Sequence, residues 1–227
     1  MSKHDTQVDG LQKIIDLFSD VTVTVLGDMV ADEFIFGEIS RVSREAPVLI
    51  LKHRDRKVVP GGGANAINNL ADLGIKVLPV GVVGNDEPGR LLLNCFQQKR
   101  IPISGVFKNK RYQTTTKTRI LAGMPHTARQ QVVRVDREPE GEPDTEVKRS
   151  LVQAAREFAR TSNAMLISDY GYGAATPALW SAIRGSRGHK KIPAVLDSRY
   201  RLLEYWQSVR VHPGERHPQQ LEEFGFR

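Results

Sequence analysis

Two hydrophobic periods alternate along this chain and predict strands and helices in turn. Continuous β-branched and apolar runs, which indicate buried strands, lie at 21–28, 76–84, 164–169 and 192–197. Apolar residues at helical spacing, which predict amphipathic helices, lie at 64–71, 87–100, 146–160 and 176–185. Gly74 is placed to end the first of these helices and Thr176 to cap the last. Strands that alternate with helices predict an α/β sandwich around a mostly parallel sheet.

Two stretches, 32–59 and 112–136, break this rhythm because neither leaves room for a crossover helix. Each is predicted to form paired strands, with residues 122–126 as the turn within the second. We expect both to build one small antiparallel sheet over one edge of the sandwich. The Pro- and acid-rich segment 137–146 then connects this sheet to the core.

Composition limits the class of protein. The 227 residues, 40% hydrophobic and 26% charged, suit one substantial core. No apolar run approaches the ~20 residues that span a bilayer, and residues 11–18 form an amphipathic pattern rather than the core of a secretory signal. The single cysteine, Cys95, rules out an intrachain disulfide. These features predict a cytoplasmic protein with no membrane partner.

The net charge of +7 and the pI near 9.6 raise the question of nucleic-acid binding. The basic residues are scattered, however, and the densest clusters, at 52–57 and 108–111, have no interleaved aromatic residues. A solvated basic surface, or one suited to anionic substrates, is therefore favoured over a nucleic-acid site.

Three of the predicted strands end in an acid, namely Asp28, Asp169 and Asp197. Ligands of open α/β sheets bind outside the carboxyl ends of the strands. Any one such residue is more often part of a turn or a cap, but three together beside a glycine-rich loop favour a binding site.

That glycine-rich loop opens the run VVPGGGANAINNLADLG at 58–74. Glycines let the backbone approach a ligand closely, and the helix that follows directs free N–H groups toward it. Asn65 and Asn69 lie on one face of this helix and are candidates to bind hydroxyl groups, whereas exposure to solvent is the alternative for Asn68 and Asn69. The loop matches neither a Walker A nor a dinucleotide motif. A polyhydroxylated ligand is therefore favoured.

Several motifs resemble, in order and spacing, those of the ribokinase-like sugar kinases: VLGDMVADEFIFG, VPGGGANAINNLADLG and VGVVGNDEPGR. The runs EISRVSREAPV, TTTKTRILAG and QQVVRVDRE narrow this resemblance to the heptose-phosphate kinase branch, and LISDYGYGAATP and AVLDSRYRL follow in the expected places. The resemblance covers about 21–205. It implies a three-layer α/β/α fold whose lid comes from 33–59 and 112–136. It also implies ATP and Mg²⁺ as cofactors, a sugar phosphate such as a heptose 7-phosphate as substrate, and a homodimer formed through the lid.

The same resemblance assigns candidate roles to individual residues. Those implied to bind the sugar hydroxyls are Asp28, Asp32, Gly62, Gly63 and Asn65. Lys117 and Arg119, on the lid, would face the phosphate of the sugar, which is a doubly charged anion. Gln131, Arg134 and Asp136 would line the lid side of the site, and Asp169 would lie near the region of phosphate transfer.

The chain also departs from the pattern of this family. Tyr172 stands in DYGYG where related chains often have Lys, and the Thr-Pro-Asn-x-x-Glu and Gly-Ala-Gly-Asp motifs are not found. The expected catalytic base is thus missing, and residues 206–227 are interpreted as an anomalous, disordered tail that arose by truncation or frameshift. Three functions remain open: a sugar kinase, an inactive fragment that keeps a sugar-binding half-site, and a basic nucleic-acid or regulatory module.

Overall fold

The computed structural model describes residues 3–124, 127–184 and 192–208, and it contains two sheets. The larger has the five strands β1 (Thr22–Gly27), β4 (Lys76–Gly84), β5 (Val106–Asn109), β8 (Ala164–Asp169) and β9 (Ala194–Ser198). These strands are parallel and pair in the order β5-β4-β1-β8-β9. The smaller sheet has the four strands β2 (Met29–Val42), β3 (Leu49–Gly62), β6 (Thr115–Gly123) and β7 (Gln130–Arg137). They pair in the order β3-β2-β6-β7.

The helical elements are α1 (Lys3–Asp16), a 3₁₀ turn (Leu17–Asp20), α2 (Gly63–Asp72), α3 (Glu87–Gln98), α4 (Thr145–Ala159), α5 (Pro177–Arg184) and α6 (Leu202–Ser208). Helices α2 to α6 cover both faces of the parallel sheet. Val25 of β1 packs with Ile67 and Phe96 from α2 and α3, whereas the next residue, Leu26, packs with Trp180 of α5. Successive strand residues point to opposite faces, so the predicted three-layer α/β/α arrangement is confirmed.

The predicted helix ends also match the structure. The α2 helix ends at Asp72, and Gly74 follows with a φ of +85°, a conformation that glycine adopts without strain. The hydroxyl of Thr176 accepts a hydrogen bond at 3.2 Å from the N–H of Leu179, as an N-cap does. By contrast, the apolar residues of the N-terminal amphipathic helix, including Leu11 and Ile14, are exposed.

The smaller sheet is mixed rather than antiparallel, so that expectation was wrong. The outer pairs, β2 with β3 and β6 with β7, are antiparallel, but the central pair of β2 and β6 is parallel. The reason lies in the connections: β2 follows β1 directly and β6 follows β5, and β1 and β5 belong to the same parallel sheet. Both strands therefore leave the same edge of the core in the same direction.

Two elements had no sequence signal. The short strand β5 was not predicted, and α6 crosses the boundary at 205/206 beyond which a tail was expected. Residues 209–227, the rest of that predicted tail, lie outside the described residues. The connector after β7 is confirmed, because residues 138–144 form neither helix nor strand before α4 begins at Thr145.

Candidate functional site

The candidate site lies where the carboxyl ends of β1 and β8 meet the smaller sheet. These two strands are neighbours, with Gly27 of β1 opposite Ser168 of β8. The next residues along the two strands, Asp28 and Asp169, therefore lie at the same edge of the sheet. Asp197 does not join them, because it lies within β9 and its side chain is exposed. Two of the three predicted acids are therefore brought together.

The carboxylate of Asp28 is fully buried and accepts hydrogen bonds from the loop that follows β8. Its oxygens bind the backbone N–H groups of Tyr170 (2.8 Å), Tyr172 (3.0 Å), Ala174 (2.8 Å) and Ala175 (3.3 Å). Burial raises the pKa of this carboxyl above its ordinary value, although the N–H donors of the loop oppose that shift. Asp28 thus has a structural role in this arrangement, because backbone donors of the loop occupy both of its carboxylate oxygens.

Asp169 holds the same loop from its other side. Its carboxylate accepts the N–H of Gly171 at 2.9 Å and the hydroxyl of Ser198 at 3.0 Å. It also forms a bidentate pair with Arg201, at 3.0 Å from Nε and 2.5 Å from Nη2. Asp28 and Asp169 together bind five backbone N–H groups of residues 170–175. This segment, which we call the 170–175 loop, is therefore fixed by two buried carboxylates.

The glycine-rich loop lies beside Asp28 and Asp32. A Cβ atom at Gly61 would come within 2.6 Å of the Asp32 carboxylate, and Gly62 has a φ of +53°. The N–H of Gly63 donates to the backbone oxygen of Asp28 at 2.9 Å. These close contacts account for the glycines by packing, independently of any ligand.

The asparagines after this loop differ in their contacts. Asn65 is exposed in the first turn of α2, whereas Asn68 donates to Asp72 at 3.1 Å, one helical turn away. Asn69 is exposed as well, but it lies one helical turn after Asn65, so Asn65 is the exposed asparagine beside the glycine-rich loop.

The smaller sheet directs a group of charged side chains toward the 170–175 loop. In the strand register, Lys117 of β6 lies between Asp32 of β2 and Asp136 of β7, and Arg119 lies beside Arg134. Residues opposite each other in a sheet share a face. We call this set, Asp32, Lys117, Arg119, Arg134 and Asp136, the lid face.

Two ion pairs organise the lid face. Arg119 donates to Asp32 at 2.7 Å, with both side chains about three-quarters buried. Arg134 forms a bidentate pair with Asp136, and this contact lowers the pKa of the Asp136 carboxyl. Gln131 stands apart, since it is opposite Leu121, four residues along β6 from Lys117.

Lys117 differs from the two arginines. It is only 8% exposed, yet its ammonium makes no hydrogen bond or ion pair within the described ranges. Its Nζ lies 5.8 Å from the centre of the Tyr172 ring. The lid face and the 170–175 loop therefore meet at Lys117 and Tyr172.

The opposite face of the smaller sheet is anchored to the core. Glu33 accepts a hydrogen bond from Thr118 at 2.5 Å and pairs with Arg56. Arg56 also pairs with Glu87 at 3.1 Å, in the first turn of α3. Arg56 thereby links the sheet to the core on the side away from the lid face.

Several residues of this region had no assigned role in the sequence. They are Tyr172 of the 170–175 loop itself, and three residues that contact this loop or its anchors: Tyr112, Glu138 and Arg201. A cleft of ≈ 370 Å³ between residues 138–142 and this loop is also lined by Tyr200. Tyr172 alone carried a signal, because it stands where a lysine was expected, whereas the other contacts join residues too distant in sequence to form a pattern.

Two kinds of feature are absent from the described residues. They contain no group of three or more His, Cys, Asp or Glu side chains placed to hold a metal ion. None of their helices combines the length and the apolar character needed to cross a membrane.

Comparison with known proteins places residues 22–188 in the profile of the pfkB family carbohydrate kinases. The chain is 39% identical over 178 residues to the bifunctional protein HldE of Geobacter metallireducens, and 34% identical over 177 residues to that of Geobacter sulfurreducens. Both matches cover 78% of this chain and 35% of the relative, so the chain spans about a third of their length. A putative phosphofructokinase from Staphylococcus aureus has a similar fold, with a TM-score of 0.60, 15% identity, and coverage of 83% of this chain and 55% of that one.

Proposed function

This chain belongs to the pfkB family of carbohydrate kinases, and we propose that it binds a sugar phosphate between the lid face and the 170–175 loop. The observation that carries the proposal is Lys117, a nearly buried ammonium with unused donors beside two arginines. An ammonium has three N–H donors and gains most from an anion when water is largely excluded. A phosphate on the sugar would supply that anion.

The remaining residues divide the proposed site into a phosphate end and a hydroxyl end. Lys117 and Arg119 would bind the phosphate, with Arg134 and Asp136 at the rim and Gln131 farther out. Asp32 keeps acceptor capacity beyond its bond to Arg119, and Asn65 is exposed just after the glycine-rich loop that packs against Asp32, so these two would bind sugar hydroxyls. Gly62 and Gly63 would bring the start of α2 close to them.

For the substrate we propose D-glycero-D-manno-heptose 7-phosphate, phosphorylated at its anomeric hydroxyl. The support is the set of motifs that resemble the heptose-phosphate kinases, together with relatives that are named HldE. ATP would supply the phosphoryl group in such a reaction. The carboxylates of Asp28 and Asp169 are already bound to donors, so the described residues do not fit a protein-held Mg²⁺ and we assign none of them to it.

Calorimetric titration with the heptose 7-phosphate and with the unphosphorylated heptose tests the proposal without requiring turnover. We expect the chain to bind the phosphorylated sugar more tightly. Lys117→Met should weaken that binding roughly tenfold or more, because a hydrogen bond to a charged group contributes about 1.5–3 kcal/mol. Lys52→Met, an exposed lysine of the same sheet, is the matched control and should change nothing. Equal binding of both sugars, or of neither, would contradict the proposal.

We also propose that the lid forms a homodimer. Strand β7 is an edge of the smaller sheet in the described part of the chain, and every residue along it is exposed. Its exposed apolar side chains include Val133 and Val135. An unpaired edge with exposed apolar residues favours pairing with a second chain.

A further inference from the structure

Lys117 is nearly buried, yet within the described ranges it forms no ion pair with a carboxylate. The carboxylates beside it in the strand register, Asp32 and Asp136, are each paired with their own arginine. The charge of Lys117 contributes to the lowered pKa of Asp136, but in the described part of the chain its ammonium forms no ion pair and instead lies over the Tyr172 ring, 5.8 Å from its centre. The face of an aromatic ring attracts a cation but carries no net charge.

Tyr172 is itself fixed at three points. Its N–H donates to Asp28 at 3.0 Å, and its backbone oxygen accepts the hydroxyl of Tyr112 at 2.9 Å. Its own hydroxyl donates to Glu138 at 3.0 Å, just beyond the end of β7. Backbone and ring are therefore held in place from both the core and the connector.

We propose that Tyr172 is a positioning residue that holds the Lys117 ammonium toward the phosphate of the bound sugar, and so makes the site selective for phosphorylated sugars. This inference rests on the proposed function. A carboxylate in the place of the ring would hold Lys117 equally well, but it would also neutralise the charge and repel a phosphate. The ring orients the ammonium and leaves its charge available to the ligand.

Three substitutions separate this role from others. Tyr172→Leu removes the ring, and Tyr172→Phe keeps the ring but removes the hydroxyl that binds Glu138. Tyr200→Leu is the matched control, since Tyr200 lies on the same cleft, is 70% exposed and contacts Arg199 instead. Each variant is titrated calorimetrically with heptose 7-phosphate and with the unphosphorylated heptose.

We expect Tyr172→Leu to weaken binding of heptose 7-phosphate roughly five- to thirtyfold, which is the range between an exposed and a desolvated cation–π contact, and to leave binding of the heptose unchanged. Tyr172→Phe should retain most of the native affinity, and Tyr200→Leu all of it. Equal losses for both sugars would overturn the proposal, because they would mean that Tyr172 contacts the sugar ring directly. Native affinity in Tyr172→Leu would overturn it as well.

A measurement without sugar distinguishes this inference from the proposed function. Acetylation of Lys117 by acetic anhydride, followed by mass spectrometry, should be several-fold faster in Tyr172→Leu than in the native chain and in Tyr172→Phe, since the ring covers the amine. Equal rates in all variants would overturn the positioning of Lys117 even if the native chain binds the sugar phosphate. If the native chain binds neither sugar, the proposed function and the selectivity both fail, and the acetylation rates decide the positioning alone.

Discussion

The carboxylate of Asp28 accepts a hydrogen bond at 3.0 Å from the backbone N–H of Tyr172, 144 positions later in the chain. Three more N–H groups of the 170–175 loop bind the same carboxylate. The residue that ends the first core strand therefore determines the path of the loop that carries Tyr172 beneath Lys117.

Asp28→Asn should destabilise the fold by about 2 kcal/mol, because an amide offers one acceptor oxygen and turns N–H donors toward the N–H groups of the loop. Urea denaturation measures the change in the free energy of unfolding. Asp20→Asn, at an exposed position in the 3₁₀ turn, should change it by less than about 0.5 kcal/mol. Similar values for the two variants would show that the loop is held by other contacts.

Arg201→Met should cost roughly 3 kcal/mol of stability, at the low end of the range for breaking a buried ion pair, because Ser198 and Gly171 still donate to Asp169. The double variant with Asp169→Asn removes the unpaired charge and should recover part of the loss. Thermal or urea unfolding of the four chains of this cycle gives the coupling. A double variant that is no more stable than Arg201→Met alone would contradict the expectation.

Asp32→Asn and Arg119→Gln should separate the two ends of the proposed site. Asp32→Asn is expected to weaken binding of both the sugar and the sugar phosphate, by roughly tenfold for a lost charged hydrogen bond. Arg119→Gln should weaken binding of the phosphorylated sugar only. Calorimetric titration of both variants with both ligands provides the test, and the same pattern of losses in both would refute the division into two ends.

Tyr112→Phe should change how stability depends on alkaline pH. Burial, followed by the nearby Asp28 charge, raises the pKa of Tyr112 well above the ordinary value of 10.0. A raised pKa in the folded state favours the neutral phenol, so this contribution is complete below about pH 10 and is lost as the pH rises further. In urea denaturation from pH 8 to pH 11, the native chain should lose stability more steeply than Tyr112→Phe above pH 10. Parallel curves would contradict this.

At pH 8 the same variant should be less stable than the native chain by about 1 kcal/mol, because the hydrogen bond from Tyr112 to the backbone of Tyr172 is lost.

Val133→Glu should convert the proposed dimer into a monomer, since it places a charge on the exposed edge strand. Sedimentation velocity gives the mass of the particle. Leu73→Glu, which changes an exposed apolar residue after α2, is the control and should leave the mass as in the native chain. A native chain that already sediments as a monomer would refute the dimer.

The period of the hydrophobic residues alone was enough to predict most strands and helices of the core, because each of these elements buries a continuous apolar face. The predicted strand at 164–169 coincides with β8, and that at 76–84 with β4. Strand β5 escaped prediction because its four residues are too few to establish a period. The strands of the smaller sheet were found, but their directions were not, since a pattern of period 2 is the same in parallel and antiparallel pairs.

At the site, the sequence by itself determined which residues share a surface: Lys117 and Arg119 alternate along one strand, and that spacing places them on one face. Only the tertiary structure decided what each of them contacts. Arg119 meets Asp32 across 87 positions of chain, and Asp28 is withdrawn from the cleft to bind a loop more than 140 positions away. Local spacing encodes the orientation of a side chain, whereas these partners are selected by the pairing of β2 with β6 and of β1 with β8, and the packing of the whole core sets those pairings.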